Sequence, residues 1–192
     1  MAKPFVIGIA GKARSGKDTF AEALQNELLC HPVHWNVVRC ALATPIKLMV
    51  EAMLSYANIR LDKIGKEEEI AGLGVSPRVL YQTLGTEWGR NLISKDLWPK
   101  LLDAALEGDT PFDVCIVTDI RFDNEAEWVD VLFQIDRKEC EEVAEHASEA
   151  GIDPKHVTHH IRNDDDLKAL RKKARAAAAR IVTAYNESRK DD

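Results

Sequence analysis

The sequence predicts a three-layer α/β/α fold with a mainly parallel sheet of roughly five strands. Short apolar runs rich in β-branched residues alternate with segments of helical periodicity, which implies a parallel sheet with helices on both faces. A glycine-bearing loop joins the first such run to the first helix, and a polar cluster around Asp119 follows another nearly all-apolar run. Both features fall at the carboxyl ends of strands, where open parallel sheets bind their ligands.

Phe5–Ala10 reads as a buried strand. Phe20, Leu24 and Leu28 recur every four residues and define a helix from about Lys17 to Leu29. Asn36–Ala43 is the second strand, and Pro45 opens a helix with Ile46, Met49, Val50, Met53 and Leu54 on one face. Residues 58–76, with the acidic run Glu67-Glu68-Glu69, read as a loop or mobile segment. Pro77 starts a helix to about Ile93, and Leu97–Leu106 forms a shorter one. Asp113–Thr118 is a central strand, Val131–Ile135 the fourth and Val157–Ile161 the fifth. The last helix runs from about Asp165 to Asn186, with Leu167, Leu170, Ala174, Ile181 and Tyr185 inward. Trp98 and Leu101 are expected in the core.

The 192 residues suit one domain, and 45% hydrophobic with 30% charged residues is ordinary globular composition. A net charge of −6 argues against coating a polymeric nucleic acid, which needs a basic surface. The four cysteines, Cys30, Cys40, Cys115 and Cys140, include no CxxC pair; Cys40 and Cys115 lie in apolar runs and read as buried thiols. That usage fits a reducing cytoplasm. The short apolar start does not read as a signal peptide, and no run approaches the ~18 apolar residues of a membrane span. His146, His156, His159 and His160 form no metal-binding spacing with cysteines or carboxylates.

Gly11-Lys12-Ala13-Arg14-Ser15-Gly16-Lys17-Asp18-Thr19 matches GxxxxGK in the context that motif requires, after a strand and before a helix. Gly11 and Gly16 allow the loop amides to turn toward phosphate oxygens, the helix N-terminus adds partial positive charge, and Lys17 reaches the β- and γ-phosphates. The segment Gly11, Ala13–Thr19 is therefore the expected ATP site. Asp18 stands where Ser or Thr usually meets Mg²⁺; its carboxylate either serves the metal or complements the helix dipole. Asp119 is placed to order Mg²⁺ waters or accept a proton, against the plainer reading of a turn or N-cap aspartate. Phosphoryl transfer needs cations, and Arg14, Arg78, Arg90, Arg121 and Arg137 are the candidates. Gly85, Trp88 and Gly89 interrupt a helical segment, which fits either close approach of a ligand or tight packing against Trp88.

The chain resembles the phage-type deoxynucleoside monophosphate kinases of the P-loop nucleoside monophosphate kinase superfamily. The resemblance rests on Gly11–Thr19, on Leu42-Ala43-Thr44-Pro45-Ile46-Lys47, and on Arg78–Arg90 with its Leu-Gly-Thr-Glu-Trp-Gly-Arg ending. It continues through Asp96-Leu97-Trp98, Asp119-Ile120-Arg121-Phe122-Asp123-Asn124-Glu125, His146-Ala147-Ser148-Glu149 and Ile161-Arg162-Asn163. Asp123 replaces the Pro expected in that pattern. The resemblance implies a P-loop NTPase-type α/β/α domain over residues 1–192, with an acceptor-binding helical insertion at about 45–106 and a small helical lid at about 137–156. It implies ATP- and Mg²⁺-dependent conversion of a deoxynucleoside monophosphate to its diphosphate. Lys17 and the loop amides then hold ATP, Asp18 and Asp119 serve Mg²⁺, and Lys47, Arg78, Gln82, Trp88 and Arg90 receive the acceptor. Arg121 bridges phosphates, and Arg137 comes from the lid. The expected partners are nucleotides, with no polymeric nucleic acid, no membrane and a homodimer left open; the expected compartment is the cytoplasm, that of the host if phage-encoded. The competing readings are a kinase of the dephospho-coenzyme A or phosphomevalonate type, and a non-catalytic ATP-binding module.

Overall fold

The computed structural model describes residues 3–107, 111–138 and 151–190. The chain forms two compact units, one from the chain up to Ala41 and from Asp103 onward, the other Leu42–Leu102.

The first unit is built on a five-stranded sheet in the order β2-β3-β1-β4-β5, every neighbouring pair parallel. The strands are β1 (Phe5–Ala10), β2 (Val37–Cys40), β3 (Val114–Val117), β4 (Val131–Asp136) and β5 (His159–Arg162). The fold is therefore α/β with an all-parallel sheet, and β1 lies at its centre. Every residue of β1 and β3 is buried, as strands with neighbours on both sides require.

Side-chain alternation along β1 sends Phe5, Ile7 and Ile9 to one face. There they meet Phe20, Leu24 and Leu28 of α1 (Lys17–Leu29) and Leu170, Ala174, Ala177 and Ile181 of α6 (Leu167–Ser188). The alanines of α6 let the two helices lie close on this face. Leu167, expected inward, is exposed because it begins α6 outside the buried Leu170–Ala174–Ile181 stripe. Cys115 is fully buried, whereas Cys40, at the end of the edge strand β2, is only half-buried. Cys115, hydrogen-bonded to Cys40 and removed from water, is held as a thiol well above the usual range.

The second unit contains α2 (Thr44–Tyr56), α3 (Pro77–Gln82) and a π-helix, Thr83–Ile93. The helix α4 (Leu97–Leu106) carries the chain onward to the first unit. In α2 only Ile46, Val50 and Leu54 are buried; Met49 and Met53 face solvent, so the apolar stripe is narrower than its composition suggests. Val50, Leu54 and Ile70 make a small core with Leu80, Tyr81 and Leu84 packed on it. Residues 58–76 are more ordered than a plain loop, with a 3₁₀ turn at Leu61–Lys63 and an antiparallel bridge between Ile70 and Val75. Trp98 is buried as expected, while Leu101 is exposed.

The helix predicted from Pro77 widens into the π form at Thr83. Packing accounts for the two glycines there: a Cβ on Gly85 would lie 3.0 Å from Ile46 Cδ1, and Gly89 lies against Trp98. The Trp98 indole Nε1 donates to the Gly85 carbonyl at 2.8 Å, and its ring lies so close to Gly89 that a Cβ would sit 2.2 Å from Cζ2. Trp88, the expected packing partner, is instead exposed, its ring 6.4 Å from that of Trp98. No described helix is long and apolar enough to cross a membrane.

Candidate active site

The loop after β1 is held in shape from several sides. Gly11 has φ 144° and Gly16 has φ 95°, both in the region that side chains rarely adopt, and Arg14 adopts φ 60°. A left-handed non-glycine residue costs on the order of 1 kcal/mol, so the surrounding bonds must hold Arg14 there. The Lys12 carbonyl accepts from the Ser15 amide at 3.2 Å and from Lys17 Nζ at 2.7 Å. Gly11 lies against β4, where a Cβ would come within 2.4 Å of the Ile135 carbonyl oxygen. Gly16 precedes α1, and its carbonyl accepts the first helical bond from Phe20 N at 2.9 Å. Asp18 is exposed in the first turn of that helix, and Thr19 beside it is half-buried.

Strand order brings three further predicted residues to this end of the sheet. Gly8 of β1 pairs with Val117 of β3, and Ile120 N donates to Ile9 O at 3.3 Å, which sets Asp119 beside the start of the loop. Arg121 follows on the same segment. On the other flank Ala10 pairs with Gln134 of β4, and Arg137 immediately follows that strand. Both Arg121 and Arg137 are exposed. The remainder of the predicted lid largely lies outside the described residues, as do Cys140 and His146; the described part ends in a 3₁₀ turn at Pro154–His156.

Sequence reasoning missed two residues that shape this region. Glu125, on α5 (Asp123–Trp128), is 3% exposed, and its Oε2 accepts from the amides of Arg121 at 2.9 Å and Phe122 at 3.2 Å. It fixes the backbone from which the Arg121 side chain projects. Asn163, after β5, is 8% exposed and donates through Nδ2 to the Ser15 carbonyl at 2.8 Å. The signal for both was present only as part of longer motifs.

The predicted acceptor residues belong to the second unit. Lys47 is exposed on α2. Ser76 caps α3, and Arg78, in its first turn, pairs with Glu67 and donates its amide to Lys66 O at 3.0 Å. Gln82, four residues on, shares that helix face and is half-buried. Trp88 is exposed on the π-helix, and Arg90 is buried there with Nη1 donating to Lys95 O at 3.0 Å.

Among the described residues no group of three His, Cys, Asp or Glu converges as a metal cage. Mg²⁺, unlike a structural metal, is commonly held by one or two carboxylates together with substrate phosphates. Asp18 and Asp119 are of that type. Ser15 Oγ is fully buried within the loop and has no hydrogen-bond partner among the described residues, as a group poised for a phosphate would be.

A family model described as deoxynucleotide monophosphate kinase matches residues 58–174, a stretch that takes in Arg78–Arg90, Asp119–Glu125 and Asn163. A deoxynucleoside-5'-monophosphate kinase of Escherichia phage T5 is 33% identical over 112 residues, which cover 53% of this chain and 44% of that protein. The chain therefore spans less than half the length of that curated relative. The crystal structure of TT1252 from Thermus thermophilus is similar with a TM-score of 0.49 at 15% identity, over 93% of this chain and 98% of that one.

Proposed function

We propose, from the premise that the chain belongs to the deoxynucleotide monophosphate kinase family, that it transfers the γ-phosphoryl group of ATP to a deoxynucleoside monophosphate, giving the diphosphate. The observation that carries the donor half is the loop Gly11–Thr19 at the start of a 13-residue helix, with two left-handed glycines, Lys17 and a buried Ser15 hydroxyl that has no hydrogen-bond partner among the described residues. It lies outside the matched segment 58–174, so it supports the reading independently.

In this reading the loop amides and Lys17 hold the donor phosphates. Asp18 and Asp119 would hold Mg²⁺, which supplies charge neutralisation at the phosphate oxygens. Arg121, its backbone fixed by Glu125, and Arg137 place positive charge where the transferring group develops negative charge. Lys47, Arg78, Gln82, Trp88 and Arg90 take the acceptor: the guanidiniums its phosphate, and the Trp88 face its base.

The acceptor phosphate is itself the nucleophile. Its second ionisation lies near pH 6, so it carries its full charge at neutral pH without a protein base. The Asp119 carboxylate is then better matched to metal than to proton abstraction. Rate comes from orientation and preorganised charge, and closure of the segment bearing Arg137 would keep water from the phosphoryl group.

A coupled ADP-release assay with ATP, Mg²⁺ and each deoxynucleoside and ribonucleoside monophosphate in turn tests this. Stimulation by one or more deoxynucleoside monophosphates is expected. Folded, ATP-binding protein that is silent with every nucleotide would overturn the acceptor assignment; dephospho-coenzyme A and phosphomevalonate, run alongside, would expose a different phosphorylated acceptor.

A further inference from the structure

We propose that Asn163 is a positioning residue for phosphate binding, acting through the Ser15–Gly16 peptide; the inference rests on the reading of Gly11–Thr19 as the donor-phosphate site. Asn163 lies 148 residues from Ser15 in the chain, yet its Nδ2 donates to the Ser15 carbonyl at 2.8 Å. The Ser15 carbonyl and the Gly16 amide belong to one trans peptide, whose C=O and N–H point in opposite directions. Holding the carbonyl toward Asn163 therefore aims the Gly16 N–H the opposite way. Rotating that peptide would turn the carbonyl dipole round and replace a donor with an acceptor, which would repel an anion.

The side chain is well placed for the task. It is 8% exposed, and its own amide donates to Asp136 O at 2.7 Å at the end of β4, so the strut is anchored to the sheet. A Cβ on Gly16 would lie 2.3 Å from Nδ2, so Gly16 serves the packing of Asn163 as well as the φ of 95°. Just beyond Asn163, Asp166 caps α6 by accepting from Ala169 N at 2.8 Å, and Lys173 ties back to Arg162 O at 2.7 Å. The connection from β5 into α6 is thus held at several points, and one side chain from it reaches the loop.

The test compares wild type, Asn163→Ala and Asn163→Asp by titration calorimetry with MgATP and with inorganic tripolyphosphate, together with KM for the acceptor the wild type uses. Wild type that binds neither MgATP nor tripolyphosphate would refute the donor-site reading itself. If wild type binds, Asn163→Ala is expected to weaken both ligands about tenfold, as loss of one hydrogen bond to a buried carbonyl gives, while KM for the acceptor stays within twofold. Asn163→Asp keeps the shape but presents a carboxylate to the Ser15 carbonyl. Its affinity relative to wild type should fall at least as far at pH 8 and recover as the pH is lowered and the carboxyl gains a proton to donate. A purely structural role would give no such pH-linked recovery. Should Asn163→Ala not fold, the isosteric Asn163→Asp carries the test alone. Variants that bind both phosphates within twofold of wild type, or that lose donor and acceptor affinity equally, would overturn the proposal.

Discussion

Replacing Gly89 by alanine separates two explanations of an unusual segment. If the glycine serves packing, the added methyl meets Trp98: its carbon would lie 2.2 Å from Cζ2, 2.8 Å from Cε2 and 3.1 Å from the Leu84 carbonyl oxygen. Carbon atoms in contact prefer ~3.5–4.0 Å, so ring or helix must shift by over an ångström. Trp98 is 3% exposed and tied through Nε1 to Gly85 O at 2.8 Å, so the shift also strains that bond. Overpacking costs about 1–3 kcal/mol and a weakened hydrogen bond about 1 kcal/mol, offset by about 0.8 kcal/mol from alanine's better helix propensity. The net is about 1–3 kcal/mol, a fall in the thermal midpoint of about 2–12 °C for a chain of this size. Trp98→Leu, which removes the ring, should make Gly89→Ala nearly free, and a double-mutant cycle by thermal denaturation would show coupling of at least about 1 kcal/mol. An unchanged midpoint in Gly89→Ala, with acceptor binding lost, would refute the packing argument and restore the view that a ligand approaches this backbone.

Lys17→Ala should lower turnover by about 10²–10³-fold, because it removes a cation from the transferring phosphate; near-normal turnover of the folded variant would end that assignment. Glu67→Gln releases Arg78 from its carboxylate partner, and since such exposed pairs are worth up to about 1 kcal/mol, KM for the acceptor should fall by up to about fivefold at low salt. A rise in KM would mean that Glu67 orients Arg78 instead of competing for it. His159 is held below its ordinary range by burial and then by Arg180, so folding favours its neutral form. Its contribution is present above about pH 6.5 and lost as the pH falls through the depressed folded value. His159→Gln should therefore lose less stability than wild type between pH 7.5 and 5, as read from urea midpoints.

The elements that could be read from the chain are those whose burial follows their own periodicity. Phe20, Leu24 and Leu28 are spaced for one helix face, and all three are fully buried on α1, whose limits match the expected Lys17–Leu29. The strands were located by their apolar runs, with β5 displaced by a residue or two because its pattern, His159-His160-Ile161-Arg162, is half polar. Met49, Met53, Leu101 and Leu167 failed as core predictions because an apolar residue beside a buried stripe looks the same in sequence as one within it. Within the π-helix Thr83–Ile93, Trp98 reaches the Gly85 carbonyl and lies against Gly89, a tertiary contact that no local pattern encodes. In the site, the loop was legible because strand, glycines and lysine are contiguous. Asn163 and Glu125 were not singled out, because each acts on backbone groups and carries no chemistry that its residue type announces.

The same distinction bears on how the site would work. The most deeply buried carboxylate near it, Glu125, accepts from the Arg121 and Phe122 amides and so is engaged in fixing backbone. The buried amide Asn163 does the same for Ser15. Of the described histidines, His160 pairs with Asp136, His159 packs on Phe133 beside Arg180, His31 stacks on Trp35, and His156 Nε2 lies 3.6 Å from the Glu127 carboxylate. Buried polar groups here thus orient main chain and charge. A reaction whose nucleophile arrives already ionised needs such orientation more than it needs a tuned acid or base. Non-ionisable substitutions that disturb backbone direction, Asn163→Ala or Glu125→Ala, should then damage turnover without moving the ionisations seen in its pH profile, whereas loss of a general base would remove one limb of that profile.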